Sequence, residues 1–396
     1  MTYMLIINII QIVLLVMLGL ATLYIFVFSF AGLFYRQRKS TATTEIRKMA
    51  VFIPGYKEDE VIVPVAKESL SQAYPKESFD IIIIADSFQP ETLVELYKLP
   101  LKVIEVAFEK STKSKALNKA MEQLSDPYEV AVILDADNIM AKDFLSKINS
   151  AFEQKCIAVQ GHRTAKNMNT SLAILDAISE EINNHIFRKG HRVLGFSSAI
   201  IGSGMAFDYP YFKQMMLGVT AVGGFDKEIE LKMLKAGHKI LYLDDAYVYD
   251  EKVQKAEVFS NQRRRWLSAQ LHYFKLFFWN SLKGLLLKGN FDYFDKAIQF
   301  IQPPRILLLG SVVIFGTFFP LLNIFLAGSI LLTELWGAVA FFCLLAFLFA
   351  VPGSFYNGKT ARALLSLPRG MLLMLGSLLK IRGANKQFIH TRHTAT

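Results

Sequence analysis

The sequence predicts an α/β domain on a mostly parallel sheet, flanked by transmembrane and interfacial α-helices. Between residues 48 and 266, short apolar runs alternate with helical patterns, which implies parallel strands with helices on both faces. Three long stretches, one N-terminal and two near residues 306–358, are almost free of charge. The chain is 53% hydrophobic yet 20% charged, so membrane-embedded and water-facing parts must coexist.

Residues 1–35 contain no charged side chain. The apolar run over 3–34 is long enough to cross a hydrocarbon core of about 30 Å. Arg36, Arg38 and Lys39 close it. A secretory signal has a shorter apolar run with its basic residues in front, so residues 1–39 read as an anchor. The basic flank places Met1 outside and everything after Arg36 in the cytoplasm. Residues 306–333 and 335–358 are separated only by Glu334 and fit a hairpin of two spans. Arg305 precedes it, and Lys359, Arg362 and Arg369 follow it, so both ends read as cytoplasmic. Residues 267–305 and 359–396 mix apolar and basic residues, with Pro368 interrupting the second stretch. They read as interfacial helices, the last with a basic tail. This topology suits a bacterial inner membrane with the soluble domain, residues 40–266, inside.

Within that domain, strands are expected over 50–54, 80–85, 101–105 and 130–134, and helices over 61–73 and 114–124. Ligands in such sheets bind beyond the carboxyl ends of the strands. Asp86 follows the second strand there, and Asp135-Ala-Asp137 follows the fourth. Two carboxylates at the end of a buried strand need a partner, and a divalent metal bridging to phosphate is the usual one. The structural alternative is a polar strand end with Asp137 capping a helix. Lys113, Ser114, Lys115 and Asn118 open a helix just upstream, where lysines beside an N-terminus suit a diphosphate. Gly202-Ser203-Gly204 forms a turn that lets a substrate approach the backbone. Gly223-Gly-Phe-Asp-Lys-Glu-Ile-Glu-Leu231 is acidic and opens a helix, and Gln262-Arg-Arg-Arg-Trp266 closes the domain.

The net charge of +10 does not form a basic stripe with interleaved aromatics, as nucleic-acid binding requires. The bases cluster at membrane boundaries and beside the diphosphate site, so no nucleic-acid partner is expected. Two distant cysteines exclude a disulfide framework and a thiolate zinc site. His162, His185, His191, His238 and His272 stand in no metal spacing and read as surface or core residues.

In this order the motifs resemble family 2 of the glycosyltransferases, in the membrane-bound branch with cellulose, chitin and hyaluronan synthases. The resemblance spans residues 49–266 and implies a GT-A type fold. Pro54-Gly-Tyr56-Lys-Glu58 resembles the family's opening motif, and Asp86 resembles its base-binding aspartate. Lys113-Ser-Lys-Ala-Leu-Asn118 resembles its Lys-Gly-x-Ala-Leu-Asn. Asp135 and Asp137 match its metal-and-nucleotide motif, and Gln262, Arg265 and Trp266 match the signature for the diphosphate and acceptor end. The resemblance implies inverting transfer of a hexose or N-acetylhexosamine from a nucleotide sugar, a UDP-sugar by expectation, with Mg²⁺ or Mn²⁺. The family's catalytic aspartate falls on Glu228, with Glu230 two positions on. Asp226 is the rival, because this chain reads Asp-Lys-Glu where the family reads Thr-Glu-Asp. Three spans are few for a polysaccharide channel. The acceptor is therefore a glycan, with a partner subunit for export, or a lipid such as a polyprenyl phosphate. An inactive membrane scaffold is the reading from another class.

Overall fold

The computed structural model describes residues 2–37, 45–219 and 223–381. Arg38, Lys39, Arg382 and the tail with His390 and His393 lie outside the described residues. Helix α1 is Thr2–Gly32. Strand β1, Met49–Tyr56, then opens the domain and is followed by α2, Asp59–Ser69. Next come β2 (Phe79–Asp86), α3 (Pro90–Tyr97), β3 (Lys102–Val106), α4 (Lys113–Gln123) and β4 (Val130–Ile133). These three βαβ steps pair β3-β2-β1-β4 in parallel. The strands are legible because they are buried on both faces, which selects near-continuous apolar runs such as Ile81–Ile84. The Thr112 hydroxyl caps α4 by accepting from the Lys115 backbone N–H at 3.2 Å.

The second half departs from the parallel plan. It contains β5 (Ile139–Met140), α5 (Phe144–Phe152), β6 (Ala158–Ala165), α6 (Ser171–Asn183) and a π-helix over Asn184–Gly190. After α7 (His191–Val193) come β7 (Met205–Asp208), α8 (Tyr209–Met216), α9 (Phe225–Lys235) and β8 (Ile240–Asp250). The sheet order is β3-β2-β1-β4-β7-β6-β8-β5. Strand β7 runs antiparallel between β4 and β6, and β5 antiparallel to β8. The sheet is thus parallel on one side of β4 and mixed beyond it.

Helix α10, Ala256–Lys288, has 33 residues. A domain boundary at residue 266 therefore falls inside a single helix. Helix α11 (Phe291–Gln299) leads to α12 (Arg305–Phe325) and α13 (Ile330–Ala350). Helices α1, α12 and α13 are each long and apolar enough to cross a membrane. Helices α14 (Gly358–Leu364) and α15 (Leu367–Leu379) together reach that length, but they are bent by 48°. Pro368 in the first turn of α15 replaces the single interfacial helix expected there.

The membrane helices and the α/β domain share one core. Ala21, Ile25 and Phe28 of α1 pack with Ile178, Ile182 and Ile186 of the α6–π-helix segment, and with Val312 and Ala346 of the hairpin. Gln11 and Asn323 exchange hydrogen bonds at 3.4 Å between α1 and α12, a polar link suited to an apolar surround. The His191 ring stacks on Phe28 at 3.7 Å, and its Nε2 lies 3.2 Å from the Asp295 carboxylate. His162 is likewise a core residue, between Glu181 and Asp244 at 3.0 Å each. Burial depresses the imidazole, but the two carboxylates outweigh that and hold it up at about 9.

Backbones meet at Gly190. A Cβ there would stand 1.9 Å from the Phe28 carbonyl oxygen, so only hydrogen fits. Gly190→Ala should destabilise the protein by about 1–3 kcal/mol through overpacking. Thermal unfolding in detergent checks this. A variant as stable as the native chain would show that α1 is not seated there.

Candidate active site

The carboxyl ends of β1, β2 and β4 open onto a cleft that encloses about 410 Å³, a volume suited to a small ligand. At one end lies Asp86, 1% exposed. Its carboxylate accepts hydrogen bonds from the hydroxyls of Ser87, at 3.0 Å, and Ser111. Lys57 and Ser87 follow β1 and β2 in the left-handed region, at φ 55° and 60°. Lys57 N–H donates to Asp86 O at 3.0 Å, which joins the two turns. Paired strain of this kind persists only where the surrounding structure holds it. Pro54, Tyr56 and Glu58 line the same end, Glu58 as the N-cap residue of α2.

The centre is the Asp135-Ala-Asp137 turn. Asp137 is 2% exposed and accepts from Asn138 Nδ2 at 3.3 Å and from Glu251 N–H at 3.2 Å. Asn138 also donates to Asp250 Oδ1 at 3.1 Å. Lys113 reaches Asp135 Oδ1 at 2.5 Å, Leu134 O at 3.0 Å and Gly202 O at 2.9 Å. Its ammonium thus closes the strand end against the glycine turn. Gly202 lines the cleft at φ 82°, and a Cβ there would stand 3.7 Å from the Asp226 carboxylate. Ser203 and Gly204 are buried and do not line the cleft. Asn118 also stands outside it, donating to Met216 O at 3.0 Å.

The acidic helix α9 forms the opposite wall. Asp226 and Glu230 are one turn apart and both line the cleft. Glu228 lies between them on another face. It is 6% exposed, pairs with Lys232 at 2.6 Å and does not line the cleft. Burial raises the Glu230 carboxyl above its usual range, although Lys296 at 2.8 Å opposes the rise. From α10, Gln262, Arg263, Arg265 and Trp266 line the cleft. Burial pulls the Arg265 guanidinium down, and the charges of Asp135 and Asp226 oppose that. One cation therefore lies in the fields of both carboxylate groups.

Sequence reading missed a buried cluster on the floor. Glu180 pairs with Arg163 at 2.9 Å, Arg188 at 3.6 Å and Lys252 at 3.7 Å. Burial alone would raise the Glu180 carboxyl, but the three cations hold it well below its usual range. The available signal was Arg163 inside strand β6, a charge that needs a buried partner.

The family model described as "Glycosyltransferase like family 2" matches residues 47–269. The "Probable glycosyltransferase YdaM" of Bacillus subtilis (strain 168) is 24% identical over 232 residues, which is 56% of this chain and 55% of that protein. The chain thus spans about half the length of that relative. The mannosyltransferase PcManGT from Pyrobaculum calidifontis, solved in complex with GDP-Man and Mn2+, is 16% identical. It superposes with a TM-score of 0.59 over 94% of this chain and 97% of its own, a likeness of fold. The chain belongs to the family 2 glycosyltransferases, and its α/β domain has the GT-A-like fold.

Proposed function

We propose that this glycosyltransferase moves a hexose or N-acetylhexosamine, with inversion, from a nucleotide sugar to a glycan or lipid-borne acceptor at the cytoplasmic membrane face. Its place is in the cellulose, chitin and hyaluronan synthase-like branch. The carrying observation is that Asp86, Asp135, Asp137, Asp226, Gln262, Arg265 and Trp266 all line one cleft. Asp86 binds the base, and Lys113 and Arg265 hold the diphosphate. A donor bound to PcManGT is GDP-Man, so guanine and uracil nucleotides both belong in the donor screen.

The residues fit a Mg²⁺ or Mn²⁺ ion. Among the described residues no cluster of three or more His, Cys, Asp or Glu side chains is placed to hold one. Such an ion takes one or two carboxylates and completes its shell with substrate phosphates and water. Asp137 and Asp135 would hold it, and it would neutralise charge on the leaving diphosphate. Asp137→Ala should abolish turnover, and a chelator should abolish it in the native chain. Full activity in excess chelator would exclude the metal.

For the base, the resemblance points to Glu228 and the geometry to Asp226. A general base must come within hydrogen-bond reach of the acceptor hydroxyl. Asp226 faces the cleft beside Gly202, whereas Glu228 is engaged by Lys232 outside it. We therefore assign the base to Asp226. Asp226→Asn should keep donor binding and lose about 10²–10⁴-fold in single-turnover rate. Glu228→Gln should keep most of that rate. The reverse pattern would return the role to Glu228.

Orientation follows from the charges. Arg36 and the Lys359–Arg369 region flank the spans on the side that also carries the α/β domain. A cysteine near Met1 should label from outside intact cells, and one near Thr396 should not. Labelling in the opposite sense would invert the topology.

A further inference from the structure

Glu230 uses only one of its two carboxylate oxygens. It is 2% exposed and lines the cleft. Its Oε1 lies 2.8 Å from Lys296 Nζ, on α11, and Lys296 is buried as well. Its Oε2 is buried with no hydrogen-bond partner among the described residues. A carboxylate oxygen in that state is costly unless a donor reaches it. The other charges acting on Glu230 are Asp226 and Lys227, and they pair with each other at 3.5 Å. The protein therefore offers Oε2 no spare cation. The Glu230–Lys296 pair is already neutral, so a cationic ligand would unbalance it. The missing partner is a neutral donor, and a hydroxyl is the simplest one.

The place of Glu230 in the cleft narrows the ligand. Lys113 ties Asp135 to the Gly202 carbonyl, and Gly202 stands beside Asp226. Asp226 thus marks the end of α9 nearer the Asp135-Ala-Asp137 turn. Glu230 is one turn farther on, on the same face, toward α11. Gln299 and Phe300 line the cleft there. Lys296 Nζ donates to Gln299 Oε1 at 3.2 Å and lies 5.5 Å from the centre of the Phe300 ring. A buried acceptor oxygen beside an aromatic wall suits a sugar ring, which has hydroxyls at its edge and C–H groups on its face. The adjacent Asp295 accepts from Tyr24 of α1 at 2.7 Å, so this corner is also tied to a membrane helix.

We infer that Glu230 determines acceptor orientation, its Oε2 accepting a hydrogen bond from a second hydroxyl of the acceptor ring while Lys296 positions it from α11. This rests on the glycosyl-transfer reading above and adds a specificity residue to it. Asp226 receives the attacking hydroxyl, and Glu230, one turn away, holds a neighbouring one. Two fixed points set both the face and the rotation of the ring. The ammonium of Lys296 favours the ionised, accepting form of Glu230. A ring that lacks the second hydroxyl leaves Oε2 unmatched and binds less well.

The test titrates the full chain in phosphatidylcholine nanodiscs with methyl glycosides of glucose, N-acetylglucosamine and mannose. Each is compared with analogues that lack one hydroxyl, and dissociation constants are read by calorimetry. For the tightest glycoside, one deoxy analogue should bind ~10–100-fold more weakly than its parent. Glu230→Gln should weaken the parent by a similar factor and should hardly change that analogue, so the two losses do not add. Glu230→Asp should recover part of the affinity, and Lys296→Arg should keep most of it. Should Glu230→Gln fail to fold, Glu230→Gln combined with Lys296→Gln removes both charges and serves instead. Unchanged binding of the parent by these variants overturns the inference, because Oε2 then holds an ordered water only. Losses that add for every analogue overturn it too, as does a native chain that binds none of the glycosides. The native preparation is assayed in parallel for slow hydrolysis of nucleotide sugars. A lack of hydrolysis beside an intact coupling to Glu230 would count against the transfer reading and not against this subsite.

Discussion

Under the cleft, one carboxylate is surrounded by three cations from three different parts of the chain. Glu180 comes from α6, Arg163 from β6, Arg188 from the π-helix and Lys252 from the residues after β8, and each is at most 5% exposed. A charge stripped of water is tolerated only while its partners stay in place, and removing one leaves the others bare. None of these four elements can therefore shift alone. Lys252 also holds Asp250 at 2.8 Å, and Asn138 links Asp250 to Asp137. The Asp137 carboxylate in the cleft is thus fixed by the same charge balance that fixes the helix beneath it.

That helix is also the bridge to the membrane. The α6–π-helix segment packs against α1, and α10 carries the Gln262–Trp266 motif on a helix that continues toward the interfacial helices. A π-helix is rare and is found mostly at functional sites. Here its seven residues place Arg188 under the cleft and Gly190 against α1. Helices α1, α12 and α13 and the segment under the cleft consequently pack around one core.

The parallel half of the sheet was legible because strands buried on both faces have to be apolar throughout. The other half was not. Strand β7 has four residues, and β6 carries Gln160, His162 and Arg163 into the interior, where partners distant in sequence satisfy them. The cleft motifs were readable because strand ends and helix starts fix where such residues project. Their roles were harder to read. Asp226 and Glu228 are two residues apart, so they lie on different faces of α9, and the docking of that helix decides which one meets the cleft. That docking depends on Gly224, at φ 71°, where a Cβ would stand 3.3 Å from Ala269, a contact that sequence spacing does not encode. Asn118 illustrates the opposite case, a motif residue used to tie α4 to the end of α8.

The contact between Gly190 and Phe28 involves backbone on both sides. Side chains can repack and absorb displacement, but two touching main chains act as a rigid spacer. The cleft therefore stands at a set distance from α1, like the jaw of a fixed calliper.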